Sequence, residues 1–139
     1  SEKKESWQLT YEEGRKVIES MRFAETSSLF GNEKDNSFKS TLGAIYQTFG
    51  GKDVYPTLEE KAANLLYMLV KNHSFNDGNK RIAAALFIYF LERNNLLFDT
   101  NKIPIIDNNT LAAMTLMIAL SKPEEKEIMC LLVLNMLNK

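Results

Sequence analysis

Residues 80–94, KRIAAALFIYFLERN, carry apolar side chains on nearly every face of a 3.6-residue helix. A helix patterned this way is buried on all sides by other elements. The stretch therefore predicts a central helix in a helical bundle, ended by the Asn94-Asn95 pair. Its unbroken apolar part, residues 82–91, is about half of the ~20 residues needed to span a bilayer, so burial in protein rather than lipid is expected. A chain of 139 residues has room for one hydrophobic core. It reads as a single domain over 1–139.

Three other helix starts are marked by Ser or Thr with Glu three residues later. In that pattern each side chain satisfies a free backbone N–H of the first turn. Thr10 with Glu13 opens a helix expected to end at Gly31, and Thr57 with Glu60 opens a second. Ser121 with Glu124 opens a last one, with Pro123 tolerated in its first turn. The second helix sets Leu58, Ala62, Leu65, Leu66 and Leu69 on one stripe. His73, four residues beyond Leu69, is expected to continue toward the buried side. Another helix is predicted over about residues 109–120. At least five helices and no long alternating series give an all-α fold class. Gly50-Gly51, between residues 45–49 and 52–55, signals a hairpin and hence a small β-flap. The rival reading is a helix that runs to Phe49 and stops at Gly50. Residues 32–37 are polar and read as a loop.

Composition narrows the function classes. Hydrophobic residues at 45% and charged residues at 25% describe a globular chain. A net charge of -1 gives no reason to expect broad binding to nucleic acid or anionic membrane. Cys130 is the only cysteine, so no intrachain disulfide can form; within the apolar run 128–134 it reads as a buried small side chain. A reducing, cytoplasmic setting is expected, and no secretory signal is visible. The first residue, Ser1, suggests a processed end or a domain excised from a longer protein.

The chemistry concentrates at His73-Ser-Phe-Asn-Asp-Gly-Asn-Lys-Arg81, a turn that opens into the central helix. A helix N-terminus offers unpaired N–H groups and partial positive charge, which suits an anion. Gly78, lacking a Cβ, would let a ligand approach the backbone. Lys80 and Arg81 add two cations where the macrodipole opposes them, at a cost of about 0.3–1 kcal/mol each. A phosphate would compensate. Asp77 could share a Mg²⁺ ion with that phosphate, and the imidazole of His73 could accept a proton from an attacking hydroxyl. Bland readings stand beside these: His73 as a hydrogen-bonded cap, Asp77-Gly78 as an ordinary turn, Lys80-Arg81 as a solvated pair. Phe75 reads as a structural anchor either way.

The string resembles the signature of the Fic/Doc family, His-x-Phe-x-Asp/Glu-Gly/Ala-Asn-Gly/Lys-Arg. Every defined position is matched, by His73, Phe75, Asp77, Gly78, Asn79, Lys80 and Arg81. Residues 45–61, IYQTFGGKDVYPTLEEK, are similar to a bacterial Fic subgroup, and the likeness extends over about residues 38–94. The resemblance implies a Fic fold and a transferase using ATP and Mg²⁺. It makes His73 the general base and Asp77 the holder of Mg²⁺. Gly78 and Asn79 become an anion hole, with Lys80 beside it and Arg81 gripping the nucleotide phosphates. The Gly50-Gly51 hairpin becomes a flap that docks the target as an added strand. The implied partner is a protein carrying a Ser, Thr or Tyr hydroxyl.

Two departures bear on subtype. AMP-transferring members usually have Gly where this chain has Lys80 and a second Arg where it has Ala84. Doc-type members have Asn-Lys-Arg and move the γ-phosphoryl group. The expectation is Doc-type phosphoryl transfer. AMP transfer is the alternative, favoured by residues 45–51 and by Gly78, where Doc has Ala. A catalytically silent module binding nucleotide or a partner is a further alternative. Without a second Arg, and without the family's inhibitory Ser/Thr-x-x-x-Glu-Gly/Asn pattern, self-inhibition of that kind is not expected. Control, if any, is expected from a separate antitoxin-like inhibitor or from a missing part of the full-length protein.

Overall fold

A computed structural model of the chain describes residues 6–138. Ser1, whose identity raised the question of processing, lies outside them. Helix α1 spans Tyr11–Arg22, α2 Ser37–Ile45, α3 Leu58–Lys71, α4 Asn79–Arg93, α5 Asn108–Leu120 and α6 Lys126–Leu137; strands β1 (Thr48–Phe49) and β2 (Lys52–Asp53) lie between α2 and α3. The fold is all-α with one small antiparallel hairpin. No helix among the described residues is long and apolar enough to cross a membrane.

The apolar segment forms the expected central helix, but it is not enclosed on every side, since Ala84, Ala85, Ile88 and Tyr89 make a half-buried face. Ile82, Ala83, Leu86, Phe87, Phe90 and Leu91 of α4 are buried, and α1, α3 and α5 pack around it. The centre is shared with α3, which touches α2, α4, α5 and α6. Its predicted stripe is wholly buried, each large apolar side chain contributing about 1.5–3 kcal/mol. Lys61 and Asn64 are buried with it because each finds partners. Lys61 Nζ donates to Asp53 Oδ2 at 3.0 Å and to the Tyr55 carbonyl, and Asn64 Nδ2 donates to the Glu60 carbonyl at 2.9 Å.

Several boundaries differ from expectation. The Thr57–Glu60 capping box is complete, whereas Glu13 leaves its box half made because its carboxylate accepts from Tyr89 Oη instead, 3.0 Å away. Helix α1 stops at Arg22, not Gly31. Ser27 Oγ takes the Leu29 N–H, the local competition by which serine disfavours helix. The last helix does not begin on Ser121, whose hydroxyl caps α5 by donating to Ile118. A short 3₁₀ turn, Pro123–Glu125, intervenes, with the Lys122 N–H on Glu125. The run 128–134 is not core. Only Val133 in it is buried, and Cys130 is half-buried, its thiol pushed up by desolvation.

The flap resolves the rivalry around Gly50. Helix α2 ends at Ile45, and the chain then turns into the hairpin with Thr48 opposite Asp53 and Phe49 opposite Lys52. Gly50 and Gly51 both take positive φ, +59° and +80°, the requirement of a two-residue type I′ turn.

Candidate active site

The loop from His73 to Gly78 bridges α3 and α4. Residues 30–34 run beside it like a strand: the Gly31 N–H bonds to Asp77 O (3.0 Å), Asn76 N–H to Asn32 O (2.9 Å) and Lys34 N–H to Ser74 O (2.8 Å). Asn79 closes the loop from within, its Oδ1 accepting from the Phe75 N–H at 3.0 Å and its Nδ2 donating to Phe75 O at 2.8 Å. That side chain is committed to the loop, so what Asn79 can present to an anion is its backbone N–H. Phe75 is buried against Phe38, the anchoring position its motif slot implied.

Gly78 is needed for a reason different from the one expected. It caps α4 at φ +93°, and a Cβ there would sit 2.5 Å from Phe30 Cδ2 and closer still to Cε2. The missing side chain is replaced by the protein's own ring rather than by a ligand. The fully buried Phe30 ring also lies under Arg81, whose guanidinium carbon is 4.9 Å from its centroid.

His73 does not follow the α3 stripe inward. Asn72 caps the helix, and His73 turns left-handed at φ +47°, which swings it out to solvent. Among the described residues its imidazole makes no hydrogen bond, so it is not a satisfied cap. Left-handed backbone in a non-glycine residue is uncommon and stores strain, a feature concentrated at functional positions.

The start of α4 is the electropositive element. Thr10, Thr57 and Asp107 cap α1, α3 and α5 with side-chain oxygens, whereas α2, α4 and α6 begin without one; α4 starts at Gly78 and its first turn holds no acid but two cations, Lys80 and Arg81. Its leading N–H groups have no acceptor among the described residues, and Lys80 and Arg81 beside them are exposed. Arg81 Nη2 lies 3.6 Å from Asp77 Oδ1, and Nη1 pairs with Glu25. Glu25 sits in the irregular chain after α1, and nothing in the local sequence pairs it with a motif 56 residues away. Phe30, Gly31 and Glu33 were likewise invisible as site-forming residues. Tyr11 Oη donates to Glu33, which holds the phenol above its ordinary range, while Arg15 clamps the Gly31 carbonyl at 2.8 Å. The flap lies apart from this loop in sequence but is tied to α3 through Lys61.

His/Cys/Asp/Glu groups of three or more that could hold a metal unaided do not occur among the described residues. The single carboxylate of Asp77 at the α4 N-terminus is a donor of the kind that could hold Mg²⁺, an ion that keeps several waters and is commonly bound by one or two carboxylates plus substrate phosphates.

Comparison with known proteins agrees with the motif. Over 49 residues the chain is 49% identical to Toxin Doc of Mycolicibacterium smegmatis; the match covers 35% of this chain and 38% of that relative's length. No solved structure matches significantly. Residues 8–91, more than half of the chain, match the model of the Fic/DOC family. By that match, the chain belongs to the Fic/DOC family.

Proposed function

We propose that this domain transfers the γ-phosphoryl group of ATP to a hydroxyl side chain of a target protein. The observation that carries the reading is the uncapped N-terminus of α4, flanked by two exposed cations, one half-buried carboxylate and an unpartnered histidine. Free N–H groups and cations in one place recognise phosphate. In the proposed step the target oxygen attacks the γ-phosphorus in line, its proton passes to His73, and the bond to the bridging oxygen breaks to release ADP. Lys80, Arg81 and the N–H groups of Gly78 and Asn79 hold the phosphates in that geometry. Asp77 is the residue for Mg²⁺, which when bound neutralises charge on the phosphate oxygens.

Two features favour phosphoryl over AMP transfer. Lys80 adds charge and bulk where a glycine would leave room, and Ala84, one turn on, is a packed residue with no cation to offer a second phosphate site. Gly78 no longer argues the other way, because its left-handed backbone and the Phe30 ring together require glycine there. The relative called Toxin Doc supports a toxin-like role restrained by a separate inhibitory protein.

The test is incubation in host lysate with Mg²⁺ and ATP labelled at the γ- or the α-phosphate, with His73→Ala alongside. His73-dependent protein label from γ only is expected. His73-dependent label from α only means AMP transfer, and the argument from Lys80 is then wrong. ATP binding without any His73-dependent label means a silent module.

A further inference from the structure

A groove of about 770 Å³ runs between α6, the start of α3 and the chain that leaves the flap. Its apolar lining comes from Val54, Ala63, Ile128, Leu131 and Leu134. Val54, Ile128 and Leu131 are 42%, 58% and 53% exposed, high for large apolar side chains facing a common hollow. Helix α6 is apolar over most of its circumference, yet only Val133 and Leu137 are buried. A helix so patterned is normally covered on its remaining face.

The rim of this groove is acidic. Glu60, Glu124 and Glu127 line it against one cation, Lys126, whose ammonium lies back over the Tyr67 ring at 5.7 Å. An apolar floor under an acidic rim is complementary to a segment with apolar side chains on one side and Lys or Arg along its edge. Ile128 and Leu131 are three residues apart on one helix face, the spacing at which a second helix packs.

The groove is also continuous with the flap. Val54 and Tyr55 follow β2 directly, and the Val54 N–H prolongs the hairpin by bonding to Gln47 O at 3.0 Å. Lys61 fastens Asp53 and Tyr55 to α3. A strand added to the flap through backbone hydrogen bonds leaves side-chain identity weakly read, so a target needs a second contact to be told from other proteins.

We propose that this groove docks an amphipathic, basic-edged helix of the protein target, supplying the selectivity that the flap lacks. The proposal rests on the protein-modifying reading above and adds the kind of partner that reading takes.

The test compares wild type with Glu124→Lys/Glu127→Lys and with Leu131→Asp, all exposed changes away from the α4 N-terminus. The first readout is His73-dependent labelling of lysate protein, beside ATP turnover without lysate. The second is binding of a fluorescein-labelled helical Leu/Lys peptide and of its Leu/Glu counterpart. Expected results are target labelling reduced about tenfold in both variants, as for loss of an interface anchor or a reversed rim, with ATP turnover unchanged. The Leu/Lys peptide binds wild type and competes with labelling. Charge reversal switches the preference to Leu/Glu, and Leu131→Asp loses both peptides. Labelling equal in wild type and variants, or a peptide preference untouched by charge reversal, overturns this proposal and leaves the enzymatic reading standing. So does a wild-type dimer in sedimentation that Leu131→Asp dissociates, since a second copy then fills the groove. No His73-dependent labelling by wild type overturns the enzymatic reading and this one together.

Discussion

Gly78→Ala is a small perturbation whose effect follows from two separable terms. The residue caps α4 at φ +93°, where a Cβ crowds its own backbone, and the new methyl would enter the Phe30 ring, 2.5 Å from Cδ2. Left-handed backbone costs a non-glycine residue roughly 1–2 kcal/mol, and overpacking a tight core costs a similar or larger amount, together about 3 kcal/mol. For a domain of this size that lowers Tm by roughly 10 °C. The assay is a double-mutant cycle with Phe30→Leu, read by urea denaturation. Phe30→Leu destabilises on its own by leaving a cavity. In its background Gly78→Ala should cost about 1–2 kcal/mol, because only the backbone term survives and the steric one is relieved. Equal costs in both backgrounds would show that Phe30 does not hold this position. A cost below about 0.5 kcal/mol, typical of a surface change, would remove the backbone argument too.

Glu25→Gln removes the carboxylate paired with Arg81, for which a phosphate must compete. An exposed pair is worth up to about 1 kcal/mol, so ATP should bind about two- to fivefold tighter by calorimetry; weaker binding would make Glu25 a positioning residue instead. Lys61→Met takes the only ammonium from between Asp53 and the Tyr55 carbonyl, and should speed proteolysis within residues 48–55 while costing about 1–3 kcal/mol of stability. Tyr46 accepts the Leu9 N–H at 2.7 Å, and burial pushes its phenol up to about 12. Its folded value exceeds the unfolded one, so its stabilisation is full below pH ~10 and is lost as pH rises toward ~12. Tyr46→Phe should lower stability at neutral pH and flatten that alkaline loss in urea midpoints taken from pH 9 to 12.

Local order was legible wherever one segment carries its own reason. The helix over residues 80–94 and the Thr57–Glu60 box act within a few residues and formed as read, while at Gly50-Gly51 the sequence left a hairpin and a helix to Phe49 as rivals. The motif from His73 to Arg81 was legible in the same way, and its family followed from it. Errors arose where a side chain had two possible partners. Glu13 could cap α1 or meet Tyr89, 76 residues on, and Ser121 could open α6 or close α5. Local sequence does not rank such choices, because the competing partner arrives only with the packed fold.

The sequence by itself determined five of the six helices among the described residues, though not all of their ends, the all-α class and the nine-residue motif from His73 to Arg81. Hydrophobic period, capping and turn glycines are short-range forces, strong enough to be read off neighbours. Only the tertiary structure decided that Phe30 fills the space beside Gly78, that Glu25 meets Arg81, that His73 faces solvent and that Lys61 is buried beneath the flap. Those outcomes depend on contacts between distant segments and on where a single backbone turn goes left-handed. Neither leaves a periodic trace in the chain, since one φ of +47° is enough to carry a residue from a predicted buried stripe to the surface.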